Sequence, residues 1–357
     1  MTKLILLGGF LGSGKTTFMV KAASLLEQQG MKVSVISNDQ GDTLVDTMYS
    51  RWEGLDSHEV SGGCFCCRFP DFLDTLKAVI AETGPDVIIA EAVGSCTDLA
   101  ATVINPLVSF HQDTVEVKAY LSLVDGLRMQ KEYLEMDLIN PSLPGEVLIS
   151  HQIRESEVLV LSKSDLLDEA QCGKSLDYLK QLNSRAINFV CSSRTGEGLE
   201  ALLEASLKGF PLDFTDRVPI DYQVYAEAEA AYGWYNGSWT IESTGTVDPM
   251  DVSFPLMESF RNPELGEVAH AKVLLVTPLG GMKVSFVMGH IQADDINVPE
   301  GEVKEIRIVL NIRSACSPQV IEKHVESVQA AQKEEGFTIR DYTWNSLVPS
   351  PPEPYYS

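Results

Sequence analysis

Three cysteines lie within four positions of the sequence, in the stretch SGGCFCCRFP at residues 61–70. Cys64, Cys66 and Cys67 do not easily pair with one another, because a disulfide between adjacent cysteines is strained. As thiolates they can converge on one ion, and such soft ligands suit Zn(II) or Cu(I) and can hold Co(II) or Ni(II). Buried structural cysteines and a redox-sensing cluster are the alternatives. We favour a transition-metal site, because a core position would accept any small apolar residue.

A phosphate-binding loop is predicted at residues 9–16, GFLGSGKT, which match the pattern G-x-x-x-x-G-K-[ST]. The loop follows a predicted strand and opens a predicted amphipathic helix, which is the context that this motif requires. Glycines let backbone N–H groups turn toward phosphate oxygens, Lys15 reaches the outer phosphates, and Thr16 binds Mg²⁺. The nucleotide-binding residues predicted here are Gly9, Gly12, Ser13, Gly14, Lys15, Thr16 and Thr17.

An acidic residue near the magnesium ion is supplied by the stretch PDVIIAEAVGS at residues 85–95. This apolar strand ends in Glu91, where a carboxylate beside Mg²⁺ is needed for nucleotide hydrolysis. The backbone of Gly94, three residues later, can turn toward a γ-phosphate. The alternative is an ordinary glutamate at the end of a strand, because the pattern is loose.

A guanine-recognition motif is predicted at residues 162–165, SKSD, which resemble N-K-x-D with serine in place of asparagine. The carboxylate of Asp165 can accept hydrogen bonds from N1–H and the exocyclic amine of guanine, a pair that adenine does not offer. Lys163 is retained, whereas Ser162 lacks the amide that helps to brace the loop. Ser192, after the next strand, is expected at the edge of the base. The motif favours GTP over ATP.

The second predicted strand ends in an acidic loop, SNDQGDTLVD at residues 37–46. Its carboxylates can sense Mg²⁺ or complete a metal site. We assign Asp39 to the magnesium site and Asp42 to the transition-metal site. A solvated loop that caps the following helix is the alternative.

Short β-rich runs and longer helical patterns alternate through the first 210 residues. Strands are predicted at 3–9, 31–37, 86–91, 115–125, 157–162 and 187–191. This alternation is typical of an α/β P-loop NTPase domain, a mainly parallel sheet with helices on both faces. A stretch with two prolines, at 209–221, marks the end of this pattern.

The remainder predicts a smaller α+β domain with an antiparallel sheet. Asn236-Gly237 indicates a hairpin between strands at 222–235 and 238–243. Helices are expected at 249–261 and 317–335, with strands near 267–277, 282–288, 303–312 and 337–344. The predicted organisation is a P-loop GTPase domain at 1–210, a linker at 211–221, the α+β domain at 222–346, and a flexible, proline-rich tail at 347–357.

The composition limits the class of partner. A formal net charge of −24 repels phosphate backbones and anionic lipids, which disfavours nucleic-acid or membrane binding as the main function. No cleavable signal sequence and no run of about 18 apolar residues is recognised. Seven unevenly spread cysteines do not match a disulfide-stapled secreted fold. We therefore expect a soluble cytoplasmic protein that attracts cations.

Five segments occur in the order and approximate spacing of one family: GGFLGSGKTT, NDQGDTLVD, SGGCFCC, EAVGS and LSKSD. Over about residues 1–200 the chain resembles the CobW family, the cobalamin-synthesis-protein-like GTPases related to hydrogenase- and urease-maturation GTPases. The resemblance implies a P-loop GTPase that binds a transition metal through the three cysteines. It also implies delivery of the metal to a client metalloenzyme or cofactor pathway.

Three features depart from the family's pattern. The loop N-E-x-G-E-x-x-x-D carries Asp39 and Asp42 here in place of glutamates, so the acidic arms are shorter. Many relatives have a histidine-rich stretch, whereas the six histidines of this chain are scattered, and we expect most of them at the surface or at helix caps. The segment AHAKV at 269–273 only weakly resembles the family's motif in that domain.

The leading hypothesis is a slow GTPase and metal chaperone. GTP with Mg²⁺ orders the acidic and thiol loops into a metal site, for Zn²⁺ before Co²⁺, and hydrolysis loosens that site. The rivals are a nucleotide-driven activator of a corrinoid- or other cofactor-dependent enzyme, whose thiols are structural, and a redox-responsive GTP-binding module. A client protein is the expected partner, and a homodimer is compatible with the sequence.

Overall fold

The computed structural model describes residues 1–38, 45–212, 219–297 and 303–356. Contacts divide the chain into two compact units. The first comprises residues 1–40, 50–228 and 351–357, and the second comprises residues 41–49 and 229–350. The predicted linker at 211–221 lies partly outside the described residues.

The first unit is built on a parallel sheet. Its strands are β1 (Lys3–Gly8), β2 (Val33–Asn38), β3 (Asp56–Val60), β4 (Val87–Glu91), β5 (Glu116–Asp125), β6 (Val158–Ser162) and β7 (Ile187–Val190). Among the described residues they form a seven-stranded sheet in the order β3-β2-β4-β1-β5-β6-β7. Every pair of neighbouring strands in it is parallel. The mainly parallel sheet predicted from the sequence is confirmed.

Helices connect these strands. They are α1 (Lys15–Gln28), α2 (Val45–Trp52), α3 (Phe69–Thr83), α4 (Asn105–Phe110), α5 (Gly126–Arg128), α6 (Pro144–Glu155), α7 (Glu169–Leu182), α8 (Leu199–Lys208) and α9 (Tyr222–Ala230). Short π-helical turns occupy Ala100–Ile104 and Met129–Tyr133, and a 3₁₀ turn occupies Ser164–Leu166. Parallel strands need such crossover connections, because a tight turn can join only antiparallel neighbours.

Strand β3 is absent from the sequence prediction. Its sequence DSHEV is polar, it lies at the edge of the sheet, and Val60 is its one buried residue. Neither an apolar run nor a clean alternation marks such a strand. The strand matters because its carboxyl end leads directly into the thiol loop at residues 61–68.

The carboxyl ends of parallel strands meet at one edge of the sheet, where open α/β sheets bind their ligands. The residues at these ends are Gly8, Asn38, Val60, Glu91, Asp125, Ser162 and Val190. Every site residue predicted from the sequence either ends one of these strands or lies in the segment that follows it. The topology therefore brings the separate motifs to a common edge.

The second unit is an antiparallel sheet with helices. It contains β8 (Gly233–Val247), α10 (Pro249–Ser259), a 3₁₀ turn (Pro263–Leu265), β9 (Val268–Thr277), β10 (Gly280–Val287), β11 (His290–Asn297), β12 (Val303–Ser314), α11 (Pro318–Glu334) and β13 (Thr338–Leu347). The strand order among the described residues is β11-β10-β9-β12-β8-β13. Helix α11 buries Ile321 and Val325, one turn apart, in the core of this unit. The predicted α+β class is confirmed.

The predicted hairpin at Asn236-Gly237 is wrong. Residues 222–230 form helix α9, and both turn residues lie inside the continuous strand β8. There Asn236 pairs with Asn311, and Gly237 pairs with Leu310 of β12. Pairing with a central strand distant in sequence overrides the local turn preference.

The last described residues, 351–356, pack against the first unit. The backbone N–H of Tyr355 donates to the carbonyl oxygen of Cys66 at 2.9 Å. The rings of Tyr355 and Tyr356 lie 6.4 and 5.0 Å from the ring of Phe69, and Tyr356 also stacks on Phe110 at 5.8 Å. The proline content predicted a flexible tail, whereas the two tyrosines give this segment specific contacts.

No helix among the described residues is long and apolar enough to cross a membrane.

Candidate functional site

The phosphate loop has the backbone conformation that its glycines permit. Gly9, Gly12 and Gly14 have φ angles of 118°, 79° and 91°, a region that disfavours residues with a Cβ atom. Lys15 is buried, and its Nζ donates to the carbonyl oxygens of Gly9 at 2.8 Å and Phe10 at 3.4 Å. The ammonium group therefore lies over its own loop, where the outer phosphates of a nucleotide would bind.

Thr16 and Glu91 form a pair of oxygen ligands. The Thr16 hydroxyl donates to Oε1 of Glu91 at 3.0 Å, and both side chains are buried. The two residues are 75 positions apart, and the parallel pairing of β1 with β4 brings them together. Hydroxyl and carboxylate oxygens are ligands that Mg²⁺ accepts alongside phosphate and water, so these residues fit that ion.

Gly94 lies directly against the phosphate loop. A Cβ atom at this position would meet the backbone N of Leu11 at 3.0 Å and its Cα at 3.1 Å. The contact admits only glycine without a shift of one backbone. The segment after β4 is thus held against the phosphate loop.

The base-recognition motif is attached to the phosphate loop by Ser162 and is held at β5 by Lys163. Nζ of Lys163 lies 2.6 Å from Oδ2 of Asp125 and crosses close to Gly14. The hydroxyl of Ser162 donates to the carbonyl oxygen of Ser13 at 2.7 Å. Serine therefore still braces the loop, although it lacks the amide of the usual asparagine.

Asp165 and Ser192 form a hydrogen-bonded pair in the structure. The Ser192 hydroxyl donates to Oδ1 of Asp165 at 2.6 Å, and the backbone N–H of Ser164 donates to the carbonyl oxygen of Cys191 at 3.3 Å. Arg194, an exposed residue, pairs with Oδ2 of Asp165 at 2.8 Å. Ser192 positions one oxygen of the carboxylate, while the exposed Arg194 on the other oxygen can give way to a base.

The thiol loop is positioned by Asn38, the last residue of β2. Its side-chain amide donates to the carbonyl oxygens of Val60 at 2.9 Å and Gly63 at 2.7 Å. Its amide oxygen accepts the backbone N–H of Phe65 at 2.9 Å. One buried side chain thus satisfies three backbone groups of the loop and orients the cysteines between them.

The three predicted metal-binding cysteines converge, as a metal site requires. The Sγ atoms of Cys64 and Cys66 are 2.9 Å apart, and those of Cys66 and Cys67 are 3.8 Å apart. All three lie within 4.8 Å of one another, and none forms a disulfide. Cys64 and Cys66 are buried, whereas Cys67 is half-buried. The sulfur atoms can share one ion of Zn²⁺ type.

Crowding keeps the thiols of Cys66 and Cys67 protonated in the absence of a metal. Hydrogen bonds with Cys64 and the other neighbouring thiols, together with burial, raise the pKa of the Cys66 thiol well above its ordinary value. Contact with Cys64, ahead of burial, raises the pKa of the Cys67 thiol to about 11. A divalent cation would displace these protons and remove the mutual repulsion of the thiolates.

A fourth cysteine, not singled out in the sequence analysis, lies at the cluster. The Sγ atom of Cys96 is 3.4 Å from that of Cys66. Cys96 belongs to the loop after β4, five residues beyond Glu91 and two beyond Gly94. The side-chain amide of Gln152 holds this loop by donating to the carbonyl oxygens of Gly94 at 3.1 Å and Cys96 at 2.9 Å. In the sequence, the position of Cys96 beside the E-x-x-G motif could have identified it as a candidate site residue.

The segment 351–356 covers the half-buried thiol. The backbone N–H of Glu353 donates to Sγ of Cys67 at 3.3 Å, and this contact lowers the pKa of that thiol against the larger opposing effects. Together with the bond from Tyr355 to Cys66, it places two backbone donors on the thiol loop. No local signal in the sequence links residues so far apart.

Two predictions fall outside the described residues, and one is wrong in part. Asp39 and Asp42 lie in the stretch 39–44, which is not described. The expectation that most histidines lie at the surface or at caps is wrong for three of the six, because His151, His270 and His324 are buried. His324, for instance, packs beside the Phe260 ring and hydrogen-bonds with the Ser259 hydroxyl at 3.0 Å.

Comparison with known proteins now decides the family. A family model described as CobW/HypB/UreG, nucleotide-binding domain, matches residues 3–190, more than half of the 357 residues. The chain belongs to the CobW/HypB/UreG family. The match includes the phosphate loop, the thiol loop, Glu91 and Asp165, and it confirms the resemblance found in the sequence. This family is one of P-loop GTPases.

Curated relatives resemble part of the chain. The zinc chaperone CobW of a Sinorhizobium species is 28% identical over 229 residues, which are 58% of this chain and 64% of that protein. The zinc chaperone YjiA of Escherichia coli (strain K12) is 28% identical over 184 residues, 51% of this chain and 54% of that protein. The matched parts thus span less than two thirds of the length of these relatives.

Among solved structures, the Zn(II)-bound YjiA GTPase from E. coli aligns with a TM-score of 0.40 and 19% identity, covering 93% of this chain and 98% of that chain. The structure of HypB from Helicobacter pylori in complex with nickel aligns with a TM-score of 0.40 and 19% identity, covering 58% and 86%. The fold assignment rests on the strand order of the chain itself.

Proposed function

We propose that this protein is a GTP-hydrolysing metal chaperone, which binds a transition metal at Cys64, Cys66 and Cys67 and delivers it to a client metalloenzyme or cofactor pathway. The observation that carries the proposal is the loop after β4. It starts at Glu91 beside Thr16, passes Gly94 against the phosphate loop, and reaches the thiol cluster at Cys96.

The nucleotide half of the proposal rests on side chains already in position. Asp165, braced by Ser192, accepts the two donors on the edge of guanine, and Lys163 lies along the phosphate loop. Lys15 exchanges its bonds to the loop carbonyls for bonds to the outer phosphates. Mg²⁺, when bound at Thr16 and Glu91, neutralises charge on the β- and γ-phosphates.

Hydrolysis is an in-line attack by water on the γ-phosphate. The charge on the transferred group is stabilised by Lys15 and by backbone N–H groups of the loop, whose orientation is set before the reaction. The N–H of Gly94 is the group in the β4 loop nearest to such a phosphate. Arg128 is buried and lies over the ring of Phe10 in the phosphate loop at 5.5 Å. No arginine is assigned to the transferred phosphate, so intrinsic turnover is expected to be slow.

The metal is the cargo, and Zn²⁺ is the expected one. Three thiolates in a small buried space suit this ion, and its binding releases the protons that the raised pKa values hold on the thiols. The relatives named as zinc chaperones support this choice. Cys96 is close enough to Cys66 to serve as a further sulfur ligand.

Coupling follows from the rigid connection between the two sites. A γ-phosphate that draws the backbone of Gly94 inward also moves Cys96, because Gln152 holds both carbonyl groups on one amide. We propose that the GTP state favours the closed thiol site and that hydrolysis releases the metal. The acidic residues Asp39 and Asp42 are proposed to contribute oxygen ligands to the two sites.

The deciding experiment measures Zn²⁺ affinity with GDP and with a non-hydrolysable GTP analogue. We expect tighter binding with the analogue in the natural protein and in a Cys172→Ser control, since Cys172 lies on α7 away from the cluster. Cys66→Ser should lose most of the affinity with either nucleotide. Equal Zn²⁺ affinities with the two nucleotides would show that nucleotide state and metal binding are not coupled.

A redox-responsive GTP-binding module is the second candidate. The observation that favours it is the position of the Cys66 Sγ atom, which lies 2.9, 3.8 and 3.4 Å from the Sγ atoms of Cys64, Cys67 and Cys96. This candidate predicts reversible disulfide formation under mild oxidant and negligible GTP hydrolysis even with Zn²⁺ present. The chaperone predicts measurable hydrolysis from the fully reduced protein.

A further inference from the structure

A second group of ligand-type side chains lies beside the thiol cluster. Asp98, His151 and Glu155 each offer one atom, and these atoms all lie within 4.8 Å of one another. His151 and Glu155 are one turn apart on α6, and Asp98 is on the loop after β4, two residues beyond Cys96. None of the three was predicted as a site residue from the sequence.

The imidazole of His151 points to a missing ligand. Its side chain is 5% exposed, and its Nε2 atom has no hydrogen-bond partner among the described residues. The nearest oxygen named as a partner, Oδ1 of Asp98, is 3.8 Å away, which is too long for a hydrogen bond. A buried polar atom without a partner is destabilising, unless an ion or a water molecule completes its hydrogen bonding.

The two carboxylates are oriented by other donors. The Tyr222 hydroxyl donates to Oδ2 of Asp98, which leaves Oδ1 on the side of His151. Oε1 of Glu155 accepts the Tyr120 hydroxyl at 3.1 Å, and Oε2 accepts the backbone N–H of Ala100 at 3.1 Å. Outer donors of this kind fix the direction of carboxylates that bind metals. Each bonded oxygen retains a second lone pair for a cation.

The buried negative charge of the group is not balanced from within. Asp98 and Glu155 face one imidazole, and no lysine or arginine is paired with either of them in the described part of the chain. A divalent cation between the three side chains would balance this charge, as buried carboxylates require a partner.

We propose that Asp98, His151 and Glu155 form a second divalent-cation site, distinct from the three-cysteine site. One imidazole nitrogen and two carboxylate oxygens are borderline-to-hard ligands, which suit Zn²⁺, Mn²⁺, Fe²⁺ or Co²⁺ and do not suit Cu⁺. The site shares a loop with Cys96 and a helix with Gln152, so a cation there would hold the loop from Gly94 to Asp98 in place. This inference does not require that the chain hydrolyse GTP.

The test uses the full chain with Cys64, Cys66 and Cys67 all changed to serine, and Zn²⁺ as the probe. Calorimetric titration is expected to show one remaining equivalent of bound Zn²⁺. Adding His151→Gln should abolish it, and Tyr222→Phe, which removes only the donor to Asp98, should weaken it about 10–100-fold. Adding His111→Gln, a half-buried histidine on another surface, should leave it unchanged.

A second measurement guards against variants that fail to fold. In the triple-serine protein, Zn²⁺ should raise the midpoint of thermal unfolding, and this rise should vanish with Glu155→Gln or Asp98→Asn. Co²⁺ bound there should lack the charge-transfer absorption that thiolate ligands give. If the triple-serine protein binds no Zn²⁺ and is not stabilised by it, Asp98, His151 and Glu155 do not form a cation site, and the proposal is overturned.

Discussion

The phosphate loop and the thiol loop both follow strands of the same parallel sheet, yet they are held in different ways. The phosphate loop is stabilised partly from within, because Lys15 bonds to carbonyl groups five and six residues before it, and partly by Ser162 and Gly94. The thiol loop depends on distant residues: Asn38 on β2, Cys96 after β4, and the backbone of Glu353 and Tyr355. The phosphate loop therefore combines internal and distant support, whereas the thiol loop is held mainly by distant residues.

The two loops also differ in what they need from a ligand. Bonds within the loop already satisfy the ammonium group of Lys15, so a nucleotide exchanges one set of acceptors for another. The crowded thiols of Cys66 and Cys67 have raised pKa values. A bound cation would displace their protons and stabilise the thiolates that the protein alone does not stabilise. A site of the first kind should tolerate changes in remote residues, and a site of the second kind should not.

The largest effect is expected at the phosphate loop itself. Lys15→Ala removes the buried ammonium group that stabilises the transferred phosphate, and we expect GTP hydrolysis to fall by about 10²–10³-fold. Zn²⁺ affinity without nucleotide should not change, because the hydrogen bonds of Lys15 to Gly9 and Phe10 support its own loop. Phosphate release and Zn²⁺ titration on the same sample measure both. Lys174→Ala, on α7, is the control, and lost Zn²⁺ binding in Lys15→Ala would contradict the independence of the two loops.

Guanine recognition should show the next largest effect. Asp165→Asn replaces an acceptor with a donor, and the loss of two hydrogen bonds to a charged group, about 1.5–3 kcal/mol each, should weaken GTP binding by about 100-fold or more. The new amide can donate to the C2 carbonyl of xanthine, so XTP should bind better than GTP. Competition between the two nucleotides measures this. Unchanged preference for GTP would mean that the base binds elsewhere.

Asn38→Ala tests the remote support of the thiol loop. It removes three hydrogen bonds to that loop, and we expect Zn²⁺ affinity to fall by about 10–100-fold, the usual cost of losing a group that orients metal ligands. GTP affinity should stay within error of the natural protein. Ser109→Ala, which removes an exposed hydrogen bond on α4, is the matched control. A loss of GTP binding equal to the loss of Zn²⁺ binding would show that the two loops share one support.

The smallest effect concerns the segment 351–356. Deleting residues 351–357 exposes Sγ of Cys67, and we expect its alkylation by iodoacetamide to become severalfold faster at neutral pH. Mass spectrometry of the modified peptide follows the rate, with Cys172 as an internal reference. Cys64 should react slowly in both proteins, because other parts of the loop bury it. An unchanged rate at Cys67 would mean that the segment leaves the thiol open in solution.

Much of the fold could be read from the sequence, and the exceptions have physical reasons. Apolar runs marked six of the strands in the parallel sheet, but the polar edge strand β3 carried no such mark. Asn236-Gly237 is a strong local turn signal, yet its pairing with the central strand β12 keeps β8 continuous. Local sequence preferences predicted the secondary structure where no strand distant in sequence competed for pairing.

The same distinction between local patterns and contacts distant in sequence applies to the candidate site. The glycines, Lys15 and Thr16 needed only contiguous residues, and Lys163 with Asp165 needed only a strand end, so the pattern of the sequence was sufficient. The role of Ser162 was not readable, because its bond to Ser13 joins two strand ends 149 residues apart. A serine at position 162 can support the phosphate loop only if the end of β6 lies within hydrogen-bond distance of that loop.

The sequence by itself determined that the chain can bind a nucleoside triphosphate and that three thiols are close enough to share an ion. Both facts depend on neighbours along the chain, whose separation is limited by a few bonds. Only the tertiary structure decided that Cys96 joins the thiols, that Glu353 and Tyr355 cover them, and that Asp98 meets His151 and Glu155. These contacts join residues dozens to hundreds of positions apart, and the order of the strands in the sheet and the packing of α6 bring them together.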